Sequence, residues 1–403
     1  MPDFRPFSAL RYASTLDPAA VLAPPYDVLS SEDVRELQAR DPYNVTHIDL
    51  PENQDYARAA ALLDDWLARG VLVGDEAATL SIYRMAFRDA AGAERTVVGV
   101  LGGLSVEDEP SAVRPEGVTT VLPHEQVTAK ASTDRWELTK ATAANLSPVW
   151  GLSLASGLTE ALREEAEVLG RVEVDGVTHT LERLSDPDRV ATIRAILASD
   201  DVLIADGHHR YGVARRYRDQ VRAATGRTDT PAEQALAFVN ELVEDQISIE
   251  AIHRLYSGIS PFDFARALER CFAREPLESV TPTSLTAMVE RARLVLLWPN
   301  GSAEWLVPLP GAFEGLRALD GLWLEAALAG FDASVTYQHG FAQMADCVAS
   351  GDYVAGILIR PTSIAEIRRT AREGILMPPK STFFTPKLLT GWVIRPTEPL
   401  PVS

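Results

Sequence analysis

The chain reads as an α+β protein, and three observations carry that reading. Stretches with the period of a strand alternate with stretches of helical period along the whole length, with no internal repeat and no low-complexity tract. A short apolar run, Val202 to Ala205, passes through Asp206 and Gly207 straight into a long amphipathic helix. The composition of the 403 residues, 46% hydrophobic and 24% charged, is ordinary for a soluble globular protein of two or three domains.

Residues 1 to about 50 are punctuated by proline. Pro24 and Pro25 enforce extended backbone, so Tyr26 and Asp27 sit on a stiff loop; they either line a site or form a rigid approach to a domain. Val45 to Leu50 reads as a short strand. Tyr56 to Gly70 has Ala59, Leu62, Leu63, Trp66 and Leu67 at helical spacing, and Leu80 to Phe87 with Glu94 to Leu104 form a hairpin about Asp89 to Gly92. Val118 to Leu122 is a strand stopped at Pro123. Behind it crowd His124, Glu125, Lys130, Asp134 and Arg135, and a helix runs from about Asp134 to Asn145. Such density suits a solvated helix start; beside a strand end it equally suits a site.

Thr159 to Leu169 is expected to be helical, a hairpin turns at Asp175-Gly176, and Asp188 to Leu197 is a helix before the central strand. After Gly207 the residues Val213, Ala214, Tyr217, Val221 and Ala224 make one apolar face, Arg215, Arg216, Arg218 and Arg222 take most of the other, and Gly226 is the C-terminal stop. Ala235 to Glu241 is a buried strand and Phe262 to Arg274 a helix. Arg293 to Trp298 and Glu304 to Val307 form a hairpin about Pro299-Asn300-Gly301; Leu319 to Ala329 is a helix, Gly351 to Ile359 a strand and Ile364 to Arg372 a helix.

Charge and cysteine usage exclude several classes. At a formal net charge of −19 the chain repels phosphate backbones, so neither nucleic acid nor an anionic membrane is the expected partner, although a local basic cluster still holds a small anion. Cys271 and Cys347 lack disulfide, redox or zinc spacing and read as reduced thiols. The opening residues show no leader pattern, and no stretch approaches the roughly 20 apolar residues of a membrane span, so a cytoplasmic location is the expectation. Adjacent His208 and His209 diverge by about 100° on a helix, so zinc ligation is disfavoured. What the strand, small-residue turn and helix start do build, with His208, His209 and Arg210 beside them, is an anion site; an Asp-Gly turn and an ordinary N-cap are the plainer alternative.

Leu122-Pro123-His124-Glu125-Gln126, Ile204 to Arg210, and Met377-Pro378-Pro379-Lys380-Ser381-Thr382, in that order, resemble the free L-serine kinase family of the ParB-like and sulfiredoxin-like nucleotide-binding superfamily. The resemblance covers about residues 96 to 145 and 195 to 403. Residues 1–95 and about 146–194 look like additions, shared with a long bacterial and archaeal family of unassigned function. It implies a ParB/sulfiredoxin-like phosphate-binding core at 96–250 with an insertion near 146–194, an N-terminal α+β extension at 1–95, and a C-terminal α/β substrate domain at 251–403.

The resemblance further implies roles. Asp206 and Glu125 are catalytic, Glu125 acting on the acceptor hydroxyl; Gly207, His208, His209, Arg210 and Lys130 hold nucleotide phosphates; Lys380, Ser381 and Thr382 hold the amino acid. Phe383 and Phe384 stand where the archaeal pattern is polar and includes a histidine. The chemistry fits these groups: phosphoryl transfer needs positioning and cations, and Asp206 either holds Mg²⁺ or orients a histidine. The expected activity is a phosphotransferase using ATP or ADP, with Mg²⁺, on free L-serine. Two rivals share the same phosphate cradle, a ParB-like nucleotide switch and a phosphatase or nucleotide hydrolase.

Overall fold

A computed structural model describes residues 1–89, 92–108, 118–123, 129–374, 377 and 380–398. The chain forms two compact units, residues 1–247 together with 386–403, and residues 248–385. Both are α+β.

The first unit is built on a nine-stranded mixed sheet. Its order is Val121–Pro123, Val202–Asp206, Val149–Ser153, Gln234–Glu241, Glu94–Ser105, Leu80–Arg88, Val177–Leu184 and Glu167–Val174, with Phe4–Arg5 pairing off that path on Glu94–Ser105. Val202–Asp206 runs parallel to Val121–Pro123 and antiparallel to Val149–Ser153, and Gln234–Glu241 runs parallel to Val149–Ser153. Val202, Leu203 and Ile204 are buried, as an apolar run without alternation demands. Val202 and Ile204 share a core with Leu80, Val100, Ala237 and Val239 of the sheet and with Ile193, Leu197, Tyr211 and Ala214 of two helices.

The second unit carries a six-stranded sheet in the order Phe272–Leu277, Ala303–Pro308, Leu294–Leu297, Ala355–Leu358, His253–Ser257 and Ser334–Gln338. Every pairing in it is antiparallel, so the α/β character expected of the C-terminal part gives way to α+β. The turn at Pro299-Asn300-Gly301 joins Leu294–Leu297 to Ala303–Pro308 as the sequence predicts.

Several expectations change. The division at 95/96 and 250/251 differs from the two units found: Phe4–Arg5 and Leu80–Arg88, from the expected extension, and Glu167–Leu184, from the expected insertion, are strands of the same sheet as Val202–Asp206. Val45 to Leu50 is not a strand but holds the helical turn Thr46–Asp49, because Asn44 Oδ1 accepts from Thr46 N–H at 3.1 Å and from its hydroxyl at 2.6 Å. The helix expected over Thr159 to Leu169 is only Leu158–Ala161, and Glu167–Val174 is strand. Likewise the helix expected to Arg274 ends at Glu269, and Phe272–Leu277 pairs into the second sheet.

Candidate functional site

Val202–Asp206 leaves the sheet at Asp206 and turns at Gly207 into the 18-residue helix His208–Thr225. Gly207 has φ +85°, a left-handed value costly to any residue with a Cβ, and a Cβ there would stand 2.9 Å from Arg210 Nε. Glycine is therefore needed twice, for the turn and for the guanidinium lying across it. The first N–H groups of a helix have no intrahelical acceptor, and the helix dipole favours an anion where they point. At the far end Gly226, at φ +68°, closes the helix as the sequence predicts, its N–H donating to Arg222 O at 2.8 Å.

Asp206 is not the N-cap of this helix. Its Oδ1 accepts from Gly207 N–H at 2.7 Å and lies 3.7 Å from Arg210 Nη2, and its Oδ2 accepts from Lys387 Nζ at 2.8 Å. Burial alone would push this carboxyl up, but Lys387 and Arg210 outweigh burial and hold it far below the usual carboxylate range. One carboxylate thus faces two cations. The side chain of Arg210 is 12% exposed; its Nη1 donates to Pro148 O, while its Nε has no hydrogen-bond partner among the described residues.

Around this turn stand residues from the expected N-terminal extension. On the helix Ala129–Thr142, Arg135 donates to Asp49 Oδ1 at 2.8 Å, to Asp49 O at 2.7 Å and to Asp134 Oδ2 at 2.8 Å. Its guanidinium lies 4.3 Å from the centre of the Tyr26 ring, and Tyr56 donates to Asp134 at 2.6 Å. Burial pushes the Asp49 carboxyl up, against the pull of Arg135 and Arg210. Burial outweighs Arg210 at Tyr26 and raises its hydroxyl, and Asp27 and Asp49 act on Arg210 in turn. The stiff diproline loop therefore places Tyr26 and Asp27 in the surroundings of Arg210.

The structure brings Asp206, Gly207, His208, His209 and Arg210 together with Lys387, a residue the sequence reading missed. Lys387 is 181 positions from Asp206, and its only local mark is a preceding proline. Lys130 is on the helix Ala129–Thr142, in the same unit. Glu125, like His124, lies outside the described residues. Lys380, Ser381 and Thr382 belong to the second unit: Lys380 has φ +61° and its carbonyl accepts from Arg254 at 3.1 Å, the Ser381 carbonyl accepts from Thr362 at 2.8 Å, and Thr382 is buried. Among the described residues no three His, Cys, Asp or Glu side chains are grouped to hold a metal. With both Asp206 oxygens already accepting from N–H donors, these residues do not fit a Mg²⁺ ion bound by Asp206 alone. No described helix is long and apolar enough to cross a membrane.

No curated protein matches the chain. Among solved structures it is similar to a free serine kinase in complex with AMP, at 13% identity over 66% of this chain and 83% of that one, with a TM-score of 0.36. It is also similar to SbnI with a C-terminal truncation from Staphylococcus aureus, at 13% identity over 68% and 83% with a TM-score of 0.37. A conserved hypothetical protein from Pyrococcus furiosus matches at 12% identity over 66% and 87%, with a TM-score of 0.35. Likenesses of that size carry no argument about activity. The sequence pattern of DUF1015, a family described as protein of unknown function, matches residues 4–322, and the chain belongs to that family.

Proposed function

Starting from membership of a family without an assigned activity, we propose that this protein is a small-molecule kinase that transfers a phosphoryl group from ATP or ADP to free L-serine, on a ParB/sulfiredoxin-like core. The observation that carries the reading is the turn at Gly207, where a strand end, a helix N-terminus and Arg210, with its Nε unpartnered among the described residues, meet beside Lys387. The order of the Pro-His-Glu-Gln, Asp-Gly-His-His-Arg and Pro-Lys-Ser-Thr motifs supports it.

In this reading the serine hydroxyl oxygen forms a bond to the terminal phosphorus while the bridging P–O bond breaks, leaving ADP from ATP or AMP from ADP. The hydroxyl proton passes to Glu125. Gly207, His208, His209 and Arg210 donate to the phosphates, and Lys130 adds charge. Mg²⁺ would enter with the nucleotide and would supply charge neutralisation on its phosphates. A positioned base is worth about 10²- to 10⁴-fold in rate, and preorganised donors a similar amount.

Phosphorus NMR of the protein with Mg²⁺, L-serine and either ATP or ADP tests the reading, beside Glu125→Ala and Arg210→Gln. The expected result is a phosphomonoester signal that requires serine, appears with one nucleotide and is lost in both variants. Inorganic phosphate released without serine makes the protein a hydrolase instead.

A further inference from the structure

The residues that bring Lys387 to Asp206 come from parts of the chain far from either. Beyond Pro386 the chain runs back across the first unit as a strap. Thr390 exchanges backbone hydrogen bonds with Ala23 at 2.8 and 3.4 Å, Ile394 with Leu10 at 3.0 and 2.9 Å, and Thr397 N–H donates to Ala143 O at 2.8 Å. Gly391 sits at φ +91° with Val45 so close that a Cβ would come within 2.9 Å of it. Two residues beyond Lys387, Leu389 N–H donates to Tyr83 Oη at 3.2 Å, and that hydroxyl is 2.8 Å from His179 Nδ1. Tyr83 is 2% exposed and His179 also 2%, and Trp392 of the strap packs edge-on against Tyr83 with ring centres 5.4 Å apart. The anchor nearest the ammonium group is thus a buried pair of side chains from Leu80–Arg88 and Val177–Leu184.

A lysine held on a carboxylate by a fixed strap, beside a second cation and the N-terminus of a long helix, has two uses. It neutralises Asp206 for the sake of the fold, or it waits there for a more highly charged anion. Arg210 separates the two. Asp206 already has Arg210 at 3.7 Å, and Arg210 Nε still lacks an acceptor among the described residues, so one buried donor at this spot is left over.

Resting on the phosphate-binding reading above, we propose that Lys387 is a phosphate ligand of the cradle, parked on Asp206 until a nucleotide phosphate takes its charge, and that Tyr83 with His179 positions it through Leu389. Charge neutralisation then passes from carboxylate to phosphate without moving the strap. No bond to phosphorus is made or broken by Lys387. Residues of the expected extension and insertion gain a purpose by this route: they hold the strap that delivers the cation.

The test is calorimetric titration of the full chain with ADP at fixed ionic strength, for wild type, Lys387→Met, Lys387→Arg, Tyr83→Phe and the Tyr83→Phe/Lys387→Met double variant, with thermal melts alongside to establish folding. A charge-assisted hydrogen bond to phosphate corresponds to about 10- to 100-fold in affinity, so Lys387→Met is expected to weaken ADP by that factor and Lys387→Arg to recover most of it. Tyr83→Phe is expected to weaken ADP by about 3- to 10-fold, because loss of the Leu389 contact misplaces the ammonium group rather than removing it. In the double variant Tyr83→Phe should add nothing beyond Lys387→Met, a coupling that a merely structural tyrosine would not produce. Unchanged ADP affinity in a folded Lys387→Met protein overturns the ligand role, and additive losses overturn the positioning role. A wild type that binds neither ADP nor, in a parallel titration, ATP overturns both this inference and the kinase reading. If ADP binds through Lys387 but no phosphoserine forms, the kinase reading fails and the inference stands.

Discussion

Arg360 in the second unit and Arg210 in the first are both largely buried guanidinium groups beside an aspartate, and they are used in opposite ways. Arg360 donates Nη2 to Asp320 Oδ1 at 2.6 Å and Nε to Oδ2 at 3.1 Å, and its own backbone N–H adds a 2.7 Å bond to Oδ2. The pair is closed: every acceptor lobe of a carboxylate only 3% exposed is turned on one arginine. Arg210 stands 3.7 Å from a carboxylate that it shares with Lys387, and its Nε is unanswered among the described residues. A closed pair fixes conformation. An open one keeps a donor in hand, and a buried donor left without an acceptor is costly enough to need a reason.

The comparison breaks first at Asp320. Asp320→Ala leaves Arg360 buried without its acceptor and should destabilise the second unit by about 3–5 kcal/mol in urea unfolding; a loss under about 1 kcal/mol would mean that the pair is not holding the fold. Asp206→Asn should cost less, roughly 2–3 kcal/mol, and unlike the loss at Asp320 it should shrink when millimolar inorganic phosphate is added, because phosphate replaces the missing charge. Equal responses of the two variants to phosphate would erase the distinction.

The pH axis sharpens the same contrast, since among the described residues each unit holds one buried histidine. Burial pushes His179 and His253 down to about 4. Both are neutral in the folded chain, so below about pH 6.5 the unfolded chain takes up protons that the folded chain refuses. Stability therefore falls as pH drops from about 6.5 towards 4, by up to about 1.4 kcal/mol per pH unit for each histidine, and is unaffected by them above that window. Thermal melts at pH 7 and pH 5 measure it, and superimposable melts would contradict the burial argument. The smallest effect is expected at Gly207→Ala, about 1–2 kcal/mol from the left-handed turn and the crowding of Arg210, with a larger loss of phosphate binding than of stability.

What the sequence revealed and what it hid divide along the same physical line. The strand, turn and helix were legible because they are neighbours: an apolar run, an Asp-Gly turn and a helix of strict period lie within one stretch, Val202 to Gly226. Lys387 was not, because nothing local distinguishes a lysine after a proline from any other, and its meaning comes from a partner 181 residues away. Tyr26, Asp27 and Arg135 stood out as charged or stiffened, but the position of Tyr26 and Asp27 near Arg210, with Arg135 on the Tyr26 ring, is a property of packing. The misread element, Val45 to Leu50, shows a local rule overriding period: Asn44 caps the turn with its side chain, and also donates to the carbonyls of Ala20 and Leu22. The sheet hid the domain division: the hairpin of Leu80–Arg88 and Glu94–Ser105 was legible, but its pairing with Val177–Leu184 on one side and Gln234–Glu241 on the other joins residues far apart in sequence.

The strap has a consequence for the order of folding. The first unit is discontinuous in sequence, and the contact that completes its cradle joins segments on either side of the entire second unit. Closing so long a loop carries an entropic cost, and contacts of that separation form late. The second unit lightens the task, because Ser248–Glu250 at its beginning pairs antiparallel with Phe383–Thr385 at its end. Once it has folded, the chain leaves and returns at adjacent points, and Lys387 is two residues past the return. On the ribosome, the nascent chain would hold Asp206 and Arg210 without their lysine until residues 248–385 had emerged and folded, so competence for anion binding would report that synthesis and folding of both units are finished.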